Sequence, residues 1–161
     1  MKEFKKKFTA SWSDLDPNWH VANYSYLKYA VDARVFFFDK LNLNKKRFEE
    51  LNIGPVLFYE KMYYFKEIII GEEFYIDIRL DGYSEDGKFI LYHQNFYNKE
   101  GKNLAFLDLG FGIIDTIKRK LTKMPKDSFE ILKKSPKTET FRVIDKNDMR
   151  NLGRNPLNKQ V

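Results

Sequence analysis

Residues 24–41 read as a helix that is apolar almost all the way round. Leu27, Ala30, Val31, Arg34, Val35, Phe38 and Leu41 share one stripe, and Tyr26, Tyr29, Ala33, Phe36 and Phe37 make most of the remainder apolar. Only Lys28, Asp32 and Asp39 mark a narrow wet line. A helix of this kind cannot lie on an outer surface, so other structure must wrap it. The wrapping comes next in the chain. Strand-like runs occupy residues 56–66, 72–81, 88–97 and 104–115, with turn chemistry at Ser84-Glu85-Asp86-Gly87 and Asn98-Lys99-Glu100-Gly101. In the second run Phe74, Ile76, Ile78 and Leu80 oppose Tyr75, Asp77 and Arg79; in the last, Ala105, Leu107, Leu109, Phe111 and Ile113 share a face. Gly110 and Gly112 lie on the opposite face, where they either relieve crowding or admit another backbone or a ligand.

A further strand precedes the helix. Phe4, Phe8, Ala10 and Trp12 alternate there with Lys5, Lys7, Thr9 and Ser11. Short helices fit residues 45–51 and 125–134. One strand, a buried helix and an antiparallel meander make an α+β domain in which the sheet curls around the helix. At 161 residues the chain is most simply one such domain. We place the domain at 1–132 and a basic C-terminal extension at 133–161. The pattern weakens beyond Ser135, and residues 155–161 are expected to fray.

Composition removes several kinds of chemistry. The chain has no cysteine, so disulfides, thiol catalysis and cysteine-zinc sites are excluded. Its two histidines, His20 and His93, are too few for a multi-histidine metal centre. No metal or cofactor is expected. No apolar stretch follows the lysines of the N-terminus as in a signal peptide, and no run approaches transmembrane length. A soluble, cytoplasmic protein is the expectation, with no membrane partner. The net charge of +6 is uneven: residues 118–161 carry 13 Lys/Arg against 5 Asp/Glu, a net of +8, and residues 1–117 carry 16 against 18, a net of −2. A basic end suits a solvated tail or an anionic partner.

The chemistry concentrates in Ser13-Asp14-Leu15-Asp16-Pro17-Asn18-Trp19-His20-Val21-Ala22-Asn23-Tyr24, directly before the buried helix. Pro17 fixes a turn, and Asn23 can cap a helix starting at Tyr24 or Ser25. Free N–H groups and the positive end of the helix dipole would face whatever this turn holds. Strand, Asp-x-Asp-Pro turn, His-Val-x-Asn, long apolar helix and meander together resemble a hotdog-fold thioesterase of the hydroxybenzoyl-CoA and acyl-CoA type. Asp14, Asp16, His20, Val21, Asn23, Tyr26 and Arg34 carry the resemblance, with Gly71-Glu72 and the segment from Asp115 to Pro125 matching later parts of the family pattern. It covers residues 4–132. Trp19 stands where the family usually has glycine, and Ala22 replaces the first asparagine of a pair.

The resemblance implies hydrolysis of an acyl-CoA or acyl carrier protein thioester. Asp16 would act as nucleophile or general base, and the backbone N–H of Asn23, helped by that of Tyr24, would hold the developing oxyanion. His20 would orient Asp16 or donate to the substrate carbonyl. Trp19, Tyr24, Tyr26 and Glu60 are candidate substrate-binding residues, Glu60 as a second carboxylate across a subunit boundary. Read as structure instead, Asp14 and Asp16 are turn residues, Tyr26 is core, and Arg34 is a buried ion needing a carboxylate partner. Asp108 is a secondary candidate and His93 a plain sheet residue. The family pairs its subunits, so a homodimer or homotetramer is implied, and Lys118, Arg119 and Lys120 could meet the phosphates of CoA. The alternative is a non-catalytic acyl-binding or protein-interaction module, which Trp19 favours. Nucleic-acid binding ranks below both, because the basic end shows no binding motif.

Overall fold

The computed structural model describes residues 3–152 and Pro156. The expected fraying of residues 155–161 falls, apart from Pro156, outside them. Eight strands form one sheet: β1 (Lys5–Thr9), β2 (Ile53–Tyr64), β3 (Glu73–Asp77), β4 (Arg79–Ser84), β5 (Phe89–Tyr97), β6 (Asn103–Asp115), β7 (Lys120–Leu121) and β8 (Lys137–Ile144). The helices are α1 (Asn23–Lys40), α2 (Lys45–Glu50), α3 (Lys126–Leu132) and α4 (Lys146–Leu152). The sheet runs β2–β6–β5 and then β3 and β4, which follow one another along β5. The outer edge is shared: β1 pairs antiparallel with β3, and β8 pairs parallel with β4. The meander is therefore as the alternation required, except that the run at 72–81 breaks at Ile78 into two strands.

The sheet curls around α1. Its concave face contributes Phe74, Ile76, Leu80, Ile90, Tyr92, Phe96, Leu107, Leu109, Phe111 and Ile113 to one core cluster. From α1 that core takes Tyr26, Tyr29, Ala30, Ala33 and Phe37. This is not the stripe centred on Val31 and Val35, which are 44% and 56% exposed. The all-round apolar helix is wrapped on one side only. Its other apolar flank stands open beside β2, whose outer edge has no partner strand among the described residues.

One further expectation gives way. Trp12 belongs not to β1 but to a 3-10 turn, Trp12–Asp14, and is exposed, because β1 ends at Thr9. Beyond Ser135, where the sequence pattern weakens, the chain forms β8 and α4. Only Ile144 of β8 is buried, so an edge strand of this kind leaves little hydrophobic alternation to read. α4 sends Met149 onto the convex face of the sheet with Phe89, Leu91 and Ile144.

Gly110 and Gly112 lie under that convex face. A Cβ on Gly112 would stand 2.7 Å from the Phe58 ring, and one on Gly110 would strike the Tyr59 ring. Phe58 sits at a bulge in the β2–β6 ladder, which turns both rings across β6. The glycines relieve crowding over a neighbouring strand, and no ligand is needed to explain them.

One buried carboxylate joins these layers ahead of α1. Asp14 is 2% exposed. It accepts hydrogen bonds from Lys28 Nζ (2.8 Å), Tyr29 OH (2.5 Å), Ser11 Oγ (2.5 Å) and Ser11 N–H (3.2 Å). Burial opposes its charge, but donation by Lys28, Ser11 and Tyr29 prevails and holds its carboxyl well below the usual carboxylate range. Its backbone C=O accepts from Ala22 N–H and Ser25 Oγ, which fixes where α1 begins.

Two measurements test this account. Gly112→Val is expected to lower unfolding stability by about 1–3 kcal/mol through overpacking, read from urea midpoints. Asp14→Asn should remove about 3 kcal/mol at neutral pH, because buried donors lose a charged acceptor. A depressed native pKa stabilises above the unfolded value, about 3.9, and that benefit fades as pH falls below it. The gap between wild type and Asp14→Asn should therefore narrow toward pH 3, and a gap independent of pH would contradict this role.

Candidate active site

The segment from Leu15 to Val21 is a small hairpin. Leu15 bridges to Val21, the N–H of Asp16 donates to His20 C=O at 2.8 Å, and that of Trp19 donates to Asp16 C=O at 3.0 Å. Pro17, Asn18 and Trp19 form its tip, and Trp19 takes φ of +68°. A three-residue hairpin loop commonly closes on a left-handed residue, the position glycine fills without strain. A non-glycine residue held there costs about 1–2 kcal/mol. Trp19 offsets part of this by packing edge-on against Trp12, ring centroids 5.0 Å apart. Its side chain thus turns onto Trp12 and stays 59% exposed.

The hairpin shapes Asp16. Oδ1 of its carboxylate accepts the N–H of Asn18 (2.8 Å) and of His20 (3.3 Å), while no donor among the described residues meets Oδ2. The loop therefore aims one carboxylate oxygen and leaves the other open. Two bridges seat the hairpin against the chain beyond β2: His20 with Ile69, and Val21 N–H with Ile68 C=O at 2.8 Å.

Helix α1 starts one residue earlier than its sequence suggests. Asn23 is its first residue and Ala22, at φ −63° and ψ 149°, precedes it, so the Asn23 side chain is no cap. The N–H groups of Ser25 and Tyr26 fold back on Ala22 C=O. Those of Asn23 and Tyr24 meet no acceptor among the described residues. An 18-residue helix thus presents two unbonded donors at its positive end.

Asp16, His20, Val21, Asn23 and Tyr26 line one cleft of about 380 Å3, together with Tyr64, Phe65, Lys66 and Glu67. Burial pushes the Tyr26 hydroxyl up to about 12, so a neutral phenol walls the cleft; its ring meets that of Tyr64 edge-on. The His20 ring does not touch Asp16. Its Nε2 lies 3.2 Å from Glu67 Oε2, and only its backbone N–H reaches the carboxylate. Trp19 and Glu60 do not line the cleft. Glu60 pairs with Arg34 at 2.9 Å, and Arg34 also donates to Gln94, so this arginine has the carboxylate partner its burial requires. Tyr24 is exposed and does not line the cleft. Asp108 accepts from Tyr59 OH at 3.0 Å and faces away from α1, beside His93.

Sequence reasoning missed Tyr64, Phe65, Lys66 and Glu67. They meet the hairpin only through bridges spanning almost fifty residues, and no local pattern announces that. Among the described residues no group of three or more His, Asp or Glu could hold a metal, and no helix is long and apolar enough to cross a membrane.

A second opening, of about 600 Å3, follows the uncovered flank of α1. It is lined by Val31, Val35 and Phe38, by Phe48 of α2, and by Ile53 and Leu57 of β2.

The fold matches solved structures closely. A Staphylococcus aureus hypothetical protein in complex with CoA aligns with a TM-score of 0.78 at 18% identity, over 98% of this chain and 96% of that one. A Lactobacillus plantarum protein described as an oleoyl thioesterase aligns at 0.77 and 14% identity over 98% of this chain, which spans only 55% of that protein. A 1,4-dihydroxy-2-naphthoyl-CoA thioesterase from Synechocystis gives 0.73 at 13% identity, over 82% and 96% of the two chains. A search of curated proteins by sequence gave no match. Likeness at these identities establishes the architecture: a hotdog fold, with an antiparallel sheet curled round its central helix. A family model for the thioesterase-like superfamily matches residues 10–133, a span that holds the hairpin, α1 and the cleft. On that match the chain belongs to the thioesterase-like superfamily.

Proposed function

We propose that the protein hydrolyses acyl-CoA thioesters in the cleft between the Asp16 hairpin and the start of α1. One observation carries this reading: a carboxylate with an open oxygen shares a cleft with Asn23, whose N–H is unbonded at a helix N-terminus. The scissile carbonyl oxygen binds at the N–H groups of Asn23 and Tyr24, where negative charge develops, and losing one such donor typically costs about 3 kcal/mol of barrier. Oδ2 of Asp16 then either attacks the carbonyl carbon or takes a proton from an attacking water. In the first route the C–S bond breaks, CoA leaves as the thiolate, and water cleaves the resulting anhydride. In the second, water adds directly and the thiolate leaves from the tetrahedral intermediate. His20 steadies the hairpin through its backbone N–H and its contact with Glu67. No cofactor or metal takes part, and an acyl carrier protein thioester is the alternative substrate.

The site is completed by a second copy. β2 offers twelve residues of unpaired edge, with Phe58, Tyr63 and Tyr64 45–51% exposed along it. An edge that long and apolar invites pairing with another strand. A homodimer joined edge to edge through β2 satisfies it, and a tetramer can form from two such dimers. The non-catalytic alternative draws its support from Trp19 obstructing the site. Trp19 instead rests against Trp12, outside the residues lining the cleft.

Asp16→Asn should lower kcat about 10²–10⁴-fold on any acyl-CoA the wild type turns over, with far-UV circular dichroism unchanged. Single turnover in 18O-water, followed by mass spectrometry of the peptide holding Asp16, separates the routes, since label enters the carboxylate only through the anhydride. No turnover across a panel from acetyl- to palmitoyl-CoA and aromatic acyl-CoAs would remove the enzymatic reading. A sedimentation mass of one chain would remove the dimer.

A further inference from the structure

We infer that the tip of the hairpin at residues 15–21, with Trp12 and the neighbouring turn at Ile69 and Ile70, is an interfacial anchor that seats the protein on a neutral lipid surface. The inference goes beyond the thioesterase reading and does not need it to hold.

Four large apolar side chains gather at this end of the molecule. Trp12 is 64% exposed, Trp19 59%, Ile69 50% and Ile70 45%. The two indoles meet edge-on, centroids 5.0 Å apart. The bridge between His20 and Ile69 is antiparallel, which sets Ile70 across from Trp19. Gly71 N–H donates to Ala10 C=O at 2.9 Å, bringing the same turn beside the segment that leads into Trp12. Apolar side chains exposed singly need no explanation, but a contiguous group rimmed by polar residues marks a contact surface. Packing does not account for Trp19: it is held at φ of +68°, where glycine would sit without strain, and its ring still lies largely in water.

Shape and chemistry select the partner. The patch stands on turns and not in a groove, and four side chains fall well short of the roughly 20–30 residues a side that a stable protein interface uses. It lies beyond β1, at the sheet edge opposite β2, so pairing through β2 leaves it open. Neither indole N–H meets an acceptor among the described residues. Each ring therefore offers an apolar body and one open donor, the combination that places tryptophan at the headgroup level of a bilayer.

Charge decides which bilayer. Lys7 and Lys99 pair with Glu73, Lys28 with Asp14, and Glu67 with His20. Glu72 accepts the Ile69 N–H at 3.2 Å, and exposed Lys66 stands against the open carboxylate of Asp16. This leaves no cationic collar to seek an anionic leaflet, so the attraction is apolar and salt does not screen it. The expectation of no membrane partner rested on the lack of a spanning run, and no described helix is long and apolar enough to cross a membrane. Contact at an interface needs no span. His20 and Val21 of the same hairpin line the cleft, so a protein seated by this patch holds the cleft beside the lipid.

Trp12 and Trp19 are the only tryptophans in the chain, so indole fluorescence reads the patch alone. Phosphatidylcholine vesicles should shift the emission to shorter wavelength, and phosphatidylcholine brominated on its acyl chains should quench it. Neither response should fall in high salt. The double variant Trp19→Gly, Ile70→Ser keeps the turn, because glycine takes a positive φ freely. It should float with phosphatidylcholine vesicles at least about tenfold less than wild type, with far-UV circular dichroism unchanged. If the variant loses its fold, quenching of the wild type by brominated lipid decides the matter by itself. The inference is overturned by a wild type that neither shifts nor floats, by binding that requires anionic lipid and disappears in high salt, or by a folded variant that floats as well as wild type. An emission shift that grows with protein concentration in the absence of lipid also overturns it, since a second copy is then the occupant. Hydrolysis plays no part in these readings, so a protein that binds vesicles and turns over no acyl-CoA defeats the enzymatic proposal and leaves this one standing.

Discussion

Everything at the site depends on burying the Asp14 carboxylate. A charge removed from water is tolerable only when donors replace its hydration, and here Lys28, Tyr29 and Ser11 do so. Those donors come from the second turn of α1 and from the start of the 3-10 turn that follows β1. Satisfying one carboxylate therefore locks the hairpin, the helix and the sheet edge into one arrangement. Asp16 two residues on, and the free N–H groups of Asn23 and Tyr24, inherit their positions from it. The structural carboxylate and the one proposed for chemistry are neighbours with opposite surroundings: Asp14 is saturated and sealed, Asp16 keeps an oxygen open.

The second organising constraint is the partial cover of α1. Its buried side packs on the concave sheet, and the Arg34–Glu60–Gln94 network crosses that interface with each charge matched. Its other side keeps Val31 and Val35 44% and 56% exposed. The same flank borders the unpaired edge of β2, and the large apolar opening lies between them. Uncovered helix, open edge and apolar hollow are one feature seen from three sides, the surface on which the proposed second copy would sit.

Local pattern carried most of the architecture. Alternation in residues 72–81 and 104–115 assigns inward faces that the structure confirms residue by residue, because a strand buried on one face cannot be read any other way. The hairpin was legible as a candidate site from its residue types, and Asp16, Asn23 and Tyr26 line one cleft. What escaped was contact at a distance. Glu67 as the partner of His20 and Asp108 turned to the convex face follow from how strands are laid side by side. The misplaced cap at Asn23 has the same origin: Asn favours caps in general, but the hydrogen bonds of Ala22 and Ser25 to Asp14 set the helix start here.

The amino-acid order alone determined the class of fold, the inward faces of the strands and the segment that carries the candidate site residues. Each follows from hydrophobic periodicity and turn preference, which act over a few residues. Only the tertiary structure decided which side of α1 is covered, that Trp19 rests on Trp12 instead of lining the cleft, and that the last residue of a distant strand and the three after it complete that cleft. Those outcomes depend on how far-apart segments exclude water together, and no window of sequence contains both partners.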